Sequence, residues 1–273
     1  MNIKILSDST CDLSKDLIEK NDISIVPLVV IKDGEAYKDG VTITPEDIFS
    51  HVAAGGSLCS TAAVNVGDYE DFFSKYAPKY DGVVHISLGS GFSSSYQNAC
   101  LAAAELGNVY VIDSRNLSTG IGLQVLRACE LARQGMAAEV IVSAVREMAA
   151  RVDATFVPES LEFLKMGGRC SSAAALGANL LRIKPCIQVR EGAMVVGKKY
   201  TGSMSNVLSK YVADRLGDLE SVDLSRVFIT HSGCDEDTIA AVYGMLDELH
   251  HFREIHVTRA GGVISSHCGP GTL

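Results

Sequence analysis

The residues best placed to do chemistry in this 273-residue chain lie in short hydroxyl-rich and glycine-rich segments. The run from Ser87 to Gln97 follows a strand-like stretch and precedes a helix-like one. Backbone N–H groups and the helix dipole at such a junction favour an anion. Ser93 and Ser94 add hydroxyls there, and either would also serve as an ordinary helix cap. No G-x-S-x-G elbow frames a serine nucleophile. A second loop, Ser60-Thr61-Ala62-Ala63, offers another hydroxyl before the Val66 helix. Lys165-Met166-Gly167-Gly168-Arg169 projects one guanidinium, suited either to a solvated surface or to bidentate recognition of a carboxylate or phosphate. His267-Cys268-Gly269-Pro270-Gly271 follows a further strand-like run, and its glycines allow close backbone approach or an unusual turn. His231 ends another strand, as a site residue or a core histidine.

Other chemistries lack their residues. The seven His and eight Cys show no close zinc-type pairing and no C-x-x-C. A Walker phosphate loop and a G-x-G-x-x-G after the first strand are both missing, so no metal and no nucleotide cofactor is expected. The formal charge is -9 and no Lys/Arg run exceeds two residues, which leaves no basic footprint for nucleic acid. The Cys residues sit in apolar or small-residue runs and read as reduced structural thiols. No apolar stretch has the length of a signal h-region or of a membrane span, so a cytoplasmic chain without stable membrane insertion is expected.

The elements that must position these segments alternate. Ile3 to Leu6, Ile23 to Ile31, Val83 to Leu88 and Val109 to Ile112 read as strands, with helices between them from Ser14, Pro45, Val66, Ser93, Gly120 and Ala138. That alternation predicts βαβ units and a parallel sheet with polar residues at its carboxyl ends, where open α/β sheets bind ligands. Thr44 before Pro45 and Asp47 marks a capped helix start. From about Asp153 a second cycle begins. Strands are predicted at Thr155 to Val157, Ile183 to Val189, Met194 to Tyr200, Val227 to His231, Glu254 to Thr258 and Val263 to Ser265. Helices are predicted at Leu161 to Lys165, Ser172 to Leu181, Met204 to Leu216 and Glu236 to His250. A hairpin at Gly192 makes this second sheet mixed. The predicted fold class is α/β in two domains: an N-terminal α/β/α parallel sheet over 1–153 and a C-terminal two-layer α/β mixed sheet over 154–273, with the ligand between them.

Taken in order, these segments resemble the DegV family of fatty-acid-binding proteins. The resemblance runs through Leu6-Ser7-Asp8-Ser9-Thr10-Cys11-Asp12-Leu13, Val26-Pro27-Leu28, Tyr37-Lys38-Asp39-Gly40, Asp113 to Gly120, Gly167-Gly168-Arg169, Leu176-Gly177, Ile183-Lys184-Pro185 and His267 to Gly271. No single element is specific, but the ordered set spans nearly the whole chain. The resemblance implies that Thr61 and Ser93, with Ser94 beside them, donate to a long-chain fatty-acid carboxylate near His267. It also implies that Arg169 faces the head group or a partner. That partner would be a separate ATP-dependent fatty acid kinase feeding phospholipid synthesis, to which this chain presents its substrate without catalysing. Thr61-Ala62-Ala63-Val64 departs from the family's T-S-Q-P, Ser94 stands where Gly is usual, and Tyr200 where Arg is common.

Two other classes fit the residues. A hydrolase or acyltransferase would use Ser93 with His267 or His231. A small-carbonyl-binding enzyme subunit would follow from the resemblance, since the substrate-binding part of dihydroxyacetone kinase is similar in fold to the DegV family.

Overall fold

The computed structural model describes residues 1–170, 183–217, 220, 222–248 and 251–273. The predicted helix Ser172 to Leu181 lies outside the described residues.

A four-stranded parallel sheet has the order β2-β1-β6-β7, from β1 (Ile3–Asp8), β2 (Ser24–Val26), β6 (Gly82–Ser87) and β7 (Val109–Asp113). The central β6 is buried along its whole length, as a parallel strand covered on both faces must be. The expected strand Ile23 to Ile31 is broken at Pro27-Leu28. Its second part is β3 (Val29–Lys32), which joins β4 (Glu35–Lys38) and β5 (Ser60–Ala62) in a separate antiparallel sheet ordered β4-β3-β5. Helices α1 (Lys15–Lys20), α2 (Pro45–Ala53), α3 (Val66–Ser74), α4 (Ser95–Ala103), α5 (Thr119–Arg133) and α6 (Ala138–Ala149) complete this half. Thr44 and Asp47 form a reciprocal capping box at α2, as their spacing predicts.

The second half holds an antiparallel sheet ordered β10-β9-β8, from β8 (Thr155–Phe156), β9 (Ile183–Arg190) and β10 (Ala193–Thr201), and a parallel pair, β11 (Arg226–His231) and β12 (Glu254–Arg259). Its helices are α7 (Glu162–Gly167), α8 (Met204–Arg215), α9 (Glu236–Glu248) and α10 (Gly262–Cys268). The run Val263 to Ser265, expected as a strand, is therefore helical. Helix α10 packs against α2, α7 and β3, and Val263, Ile264 and Cys268 join the same core as Leu28, Val30 and Ile48. A second core, with Val207, Leu208, Tyr211, Ile229 and Val242, lies under α8 and α9. No helix among the described residues is long and apolar enough to cross a membrane.

Candidate functional site

The carboxyl ends of β1 and β6 are fixed by one buried network. Asp8 accepts from Tyr69 Oη (2.7 Å), Ser87 Oγ (2.8 Å) and Leu88 N (2.7 Å), and His85 Nε2 lies 3.1 Å away. Burial pushes the Asp8 carboxyl up, but His85 and the hydrogen bonds outweigh it and hold the group below its ordinary range. Past β6 five of the eight amides from Leu88 to Ser95 are tied down within the protein. Leu88 N donates to Asp8, Gly89 N to Asn116 O, Ser90 N to Asp113, Phe92 N to Gly89 O and Ser95 N to Ser93 Oγ. Most of the amides of the loop expected to cradle an anion are thus spent internally, and the residue with a hydroxyl that it brings to the adjoining cavity is Ser93.

That cavity is apolar-walled, with Leu28, Leu88, Phe92, Leu117, Met194 and Ile264 among its lining residues. Besides Cys268, the hydrogen-bonding side chains that line it are Thr61, Ser93, Arg169 and His267. Ser94 is exposed at the start of α4 and does not line it. Ala62 and Ala63 line it with methyl groups.

Each of the four arrives from a different element. Thr61 sits in β5, paired with Val30 of β3; the segment expected as a loop is a short strand. Ser93 Oγ lies 3.0 Å from Ser95 Oγ. Arg169 follows the left-handed cap residue Gly168 (φ +65°), is exposed, and donates from Nη1 to Gly167 O at 2.7 Å. His267 comes from the last turn of α10, and its Nε2 lies 2.8 Å from Thr61 Oγ1.

Two carboxylates that the sequence showed only as motif members hold α10 in place. Asp12 accepts from Gly261 N (2.9 Å) and Ser118 Oγ (2.6 Å); Asp39 accepts from Gly262 N (2.7 Å) and Ser9 Oγ (2.8 Å). Both are buried. Burial pushes the Asp12 carboxyl up to about 8 against the pull of Ser118 and Gly261, and burial likewise raises Asp39. These residues are more than two hundred positions from the helix they anchor, so no local pattern announces the contact.

Burial, helped by the Arg169 charge, lowers the His267 pKa to about 4, so the ring is neutral near pH 7. Its Nδ1 is buried with no hydrogen-bond partner and lies against Gly167. An unsatisfied buried donor is the costlier orphan, which favours a proton on Nε2 directed at Thr61 Oγ1. The Thr61 hydroxyl is then free to donate its own proton into the cavity. Ser93 Oγ meets another hydroxyl and no imidazole, while His231 sits beside Arg259, whose guanidinium pairs with Glu46. No serine–imidazole pair therefore forms at Ser93. The arrangement can hold a ligand with one polar end and an apolar body, using neutral donors and one nearby guanidinium.

Fold and cavity together define a class, an α/β protein with a parallel sheet, further mixed sheets and an apolar cavity carrying its polar groups together. The chain belongs to the DegV family: the model described as "Uncharacterised protein, DegV family" matches residues 2–273. A DegV domain-containing protein of Deinococcus radiodurans is 32% identical over 100% of this chain and 97% of the relative. Among solved structures, a DegV family protein from Thermus thermophilus, described for its fatty acid binding, aligns with TM-score 0.92 and 32% identity, covering 100% of this chain and 97% of that one. A stearic-acid-binding protein from Eubacterium ventriosum aligns with TM-score 0.87 and 28% identity, covering 99% and 96%.

Proposed function

We propose that this chain binds one long-chain fatty acid, with the carboxylate at Thr61 and Ser93, His267 behind Thr61, and Arg169 at the mouth. The observation that carries the reading is the gathering of these four side chains, from four separate elements, on one apolar-walled cavity. The fatty-acid-binding relatives support it. In this reading the halves 1–153 and 154–273 form two domains, and the ligand lies along their seam.

The energetics favour such a division of labour. Each buried methylene contributes about 0.8 kcal/mol, so a C16 chain supplies on the order of 10 kcal/mol before ordering costs. The head group then needs only to be satisfied, and hydroxyl donors do that without a fixed buried counter-charge. The cavity measures about 50 Å³, whereas small-molecule pockets run to roughly 300–1,000 Å³. Entry of an acyl chain therefore requires its walls to part, with the flexible Met194 and the Phe92 and Leu117 side chains the natural candidates.

The role is binding and presentation, without chemistry on the ligand: the bound carboxylate is offered to a separate fatty acid kinase that supplies ATP. Calorimetric titration with palmitate tests the binding, with one site expected in wild type and weakened binding in Thr61→Val. Acyl-phosphate formation by a kinase plus ATP, dependent on the loaded chain, tests the presentation. ATP-dependent product formed equally well without this chain would remove that role.

A further inference from the structure

The β9–β10 hairpin closes one side of the head-group cavity. Its two-residue turn, Glu191-Gly192, has positive φ at both positions (52° and 78°), the geometry of a tight hairpin turn. Val189 and Met194, opposite each other in the ladder, are buried in the same core as Leu28 and Leu117, and Met194 lines the cavity. The tip of the hairpin rests on the first half of the chain. A Cβ built at Gly91 would lie 2.2 Å from Gly192 O, and one built at Gly192 would lie 3.7 Å from Arg115 Cβ. Gly91 leads directly into Phe92 and Ser93, both of which line the cavity.

The two sides of this contact are held with very different firmness. Asp113, at the carboxyl end of β7, accepts from Ser90 N (3.0 Å) and Arg115 N (2.9 Å), and Gly89 N donates to Asn116 O (2.9 Å). The surface under the tip is thereby pinned to the parallel sheet, and Phe92 N is tied back to Gly89 O (2.8 Å). The hairpin has less to hold it. Among the described residues β10 pairs with β9 alone, and β8 reaches along β9 only as far as Val189, whose N donates to Ala154 O. The register of β10 also shifts between Val196 and Lys199, an irregularity that bends a strand and interrupts its ladder. Beyond Val189 the tip therefore has only its own two arms. Of the apolar walls around a cavity of about 50 Å³, it is the one that can lift while the parallel sheet stays intact.

Building on the fatty-acid reading of this cavity, we propose that the tip of the β9–β10 hairpin is the gate through which the acyl chain enters and leaves. Shut, it rests on Gly91 and Arg115 with Met194 in the cavity; lifted, it withdraws Met194 and uncovers Phe92 and Ser93. Gly91 is the latch, because any side chain there strikes the Gly192 carbonyl. An Ala at 91 must push the tip off by roughly 1 Å to reach ordinary contact near 3.4 Å.

The gate is tested by locking it and by propping it open. Arg115→Cys together with Gly192→Cys places two Cβ atoms 3.7 Å apart, inside the roughly 3.5–4.5 Å span of a disulfide. The whole chain carrying both substitutions is oxidised with oxidised glutathione, the cross-link is verified by mass, and transfer of a fluorescent fatty acid to and from phosphatidylcholine vesicles is timed. Expected is uptake and release at least about tenfold slower in the cross-linked form than in the same protein reduced with dithiothreitol, and no such difference in either single-Cys variant. Gly91→Ala should speed both uptake and release by about tenfold. Cross-linked protein that exchanges as fast as the reduced form, or Gly91→Ala exchanging at the wild-type rate, overturns the gate; should the cross-link fail to form, Gly91→Ala decides alone. Wild type that takes up no fatty acid at all would instead remove the binding reading, whereas fast exchange in the locked protein removes only the gate.

Discussion

Replacing Gly167 by Ala tests the Thr61–His267 arrangement through a residue with no polar side chain. A Cβ built there lies 2.3 Å from His267 Nδ1 and 3.3 Å from Cγ and Cε1, whereas ordinary contact begins near 3.4 Å. The ring is wedged, with Thr61 Oγ1 already at 2.8 Å from Nε2, so it must swing aside and give up that bond. Gly167 ends α7 without a positive φ, so the backbone accepts Ala and helix propensity alone would stabilise by up to about 1 kcal/mol. Overpacking costs roughly 1–3 kcal/mol and outweighs that gain. Expected are a lower Tm and fatty-acid affinity reduced about tenfold, the equivalent of roughly 1.4 kcal/mol for a lost head-group donor. Thermal unfolding and titration with a fluorescent fatty acid measure the two. In a His267→Ala background the collision is gone, and Gly167→Ala should become neutral or stabilising. A Gly167→Ala variant that melts higher than wild type and binds equally well would show that the His267 ring is not wedged between Gly167 and Thr61.

Thr61→Val and Ser93→Ala each remove one donor and should weaken fatty-acid binding by about three- to thirtyfold; Ser93→Ala should change Tm little, whereas Thr61→Val also strips His267 Nε2 of its partner and should lower it. Affinity unchanged in either variant removes that residue from the site. His267 sits at about 4 against an ordinary 6.5. A depressed folded value gives stability that is complete above pH 6.5 and lost as the pH falls toward 4, worth roughly 3 kcal/mol by linkage. Urea unfolding should show wild type losing that advantage over His267→Gln between pH 7 and 4. Asp12 runs the other way, raised from 3.8 to about 8: its contribution is whole below pH 3.8 and falls as the pH rises to 8, so Asp12→Asn should gain on wild type from pH 5 to 8. Asp39→Ala leaves the Gly262 amide without its buried acceptor and should destabilise by about 1–3 kcal/mol, read as a lower urea midpoint.

Periodicity made the parallel sheet and most of its helices legible, since each strand is a short β-branched run and each helix has an amphipathic stripe or a cap such as Thr44 with Asp47. Reading failed where distant contacts override local preference. Val263-Ile264-Ser265 has strand composition, yet Asp12 and Asp39 hold the start of α10 and the shared core accepts its apolar face. Serine and glycine at 87–95 suggested backbone donors, but Asp8, Asn116 and Asp113 consume the amides of Leu88, Gly89 and Ser90. The partnership of Thr61 with His267 crosses 206 positions, and only the family resemblance put the two in one site. Gly167, essential to that packing, was visible only as part of a glycine pair.

Whether the chain carries a single fatty acid is decided by native mass spectrometry of the purified protein, followed by denaturing extraction and identification of the released lipid. Expected is one long-chain fatty acid per chain, or stoichiometric uptake when C14 to C18 acids are added to protein stripped of lipid. A chain that emerges empty and takes up none of them would contradict it.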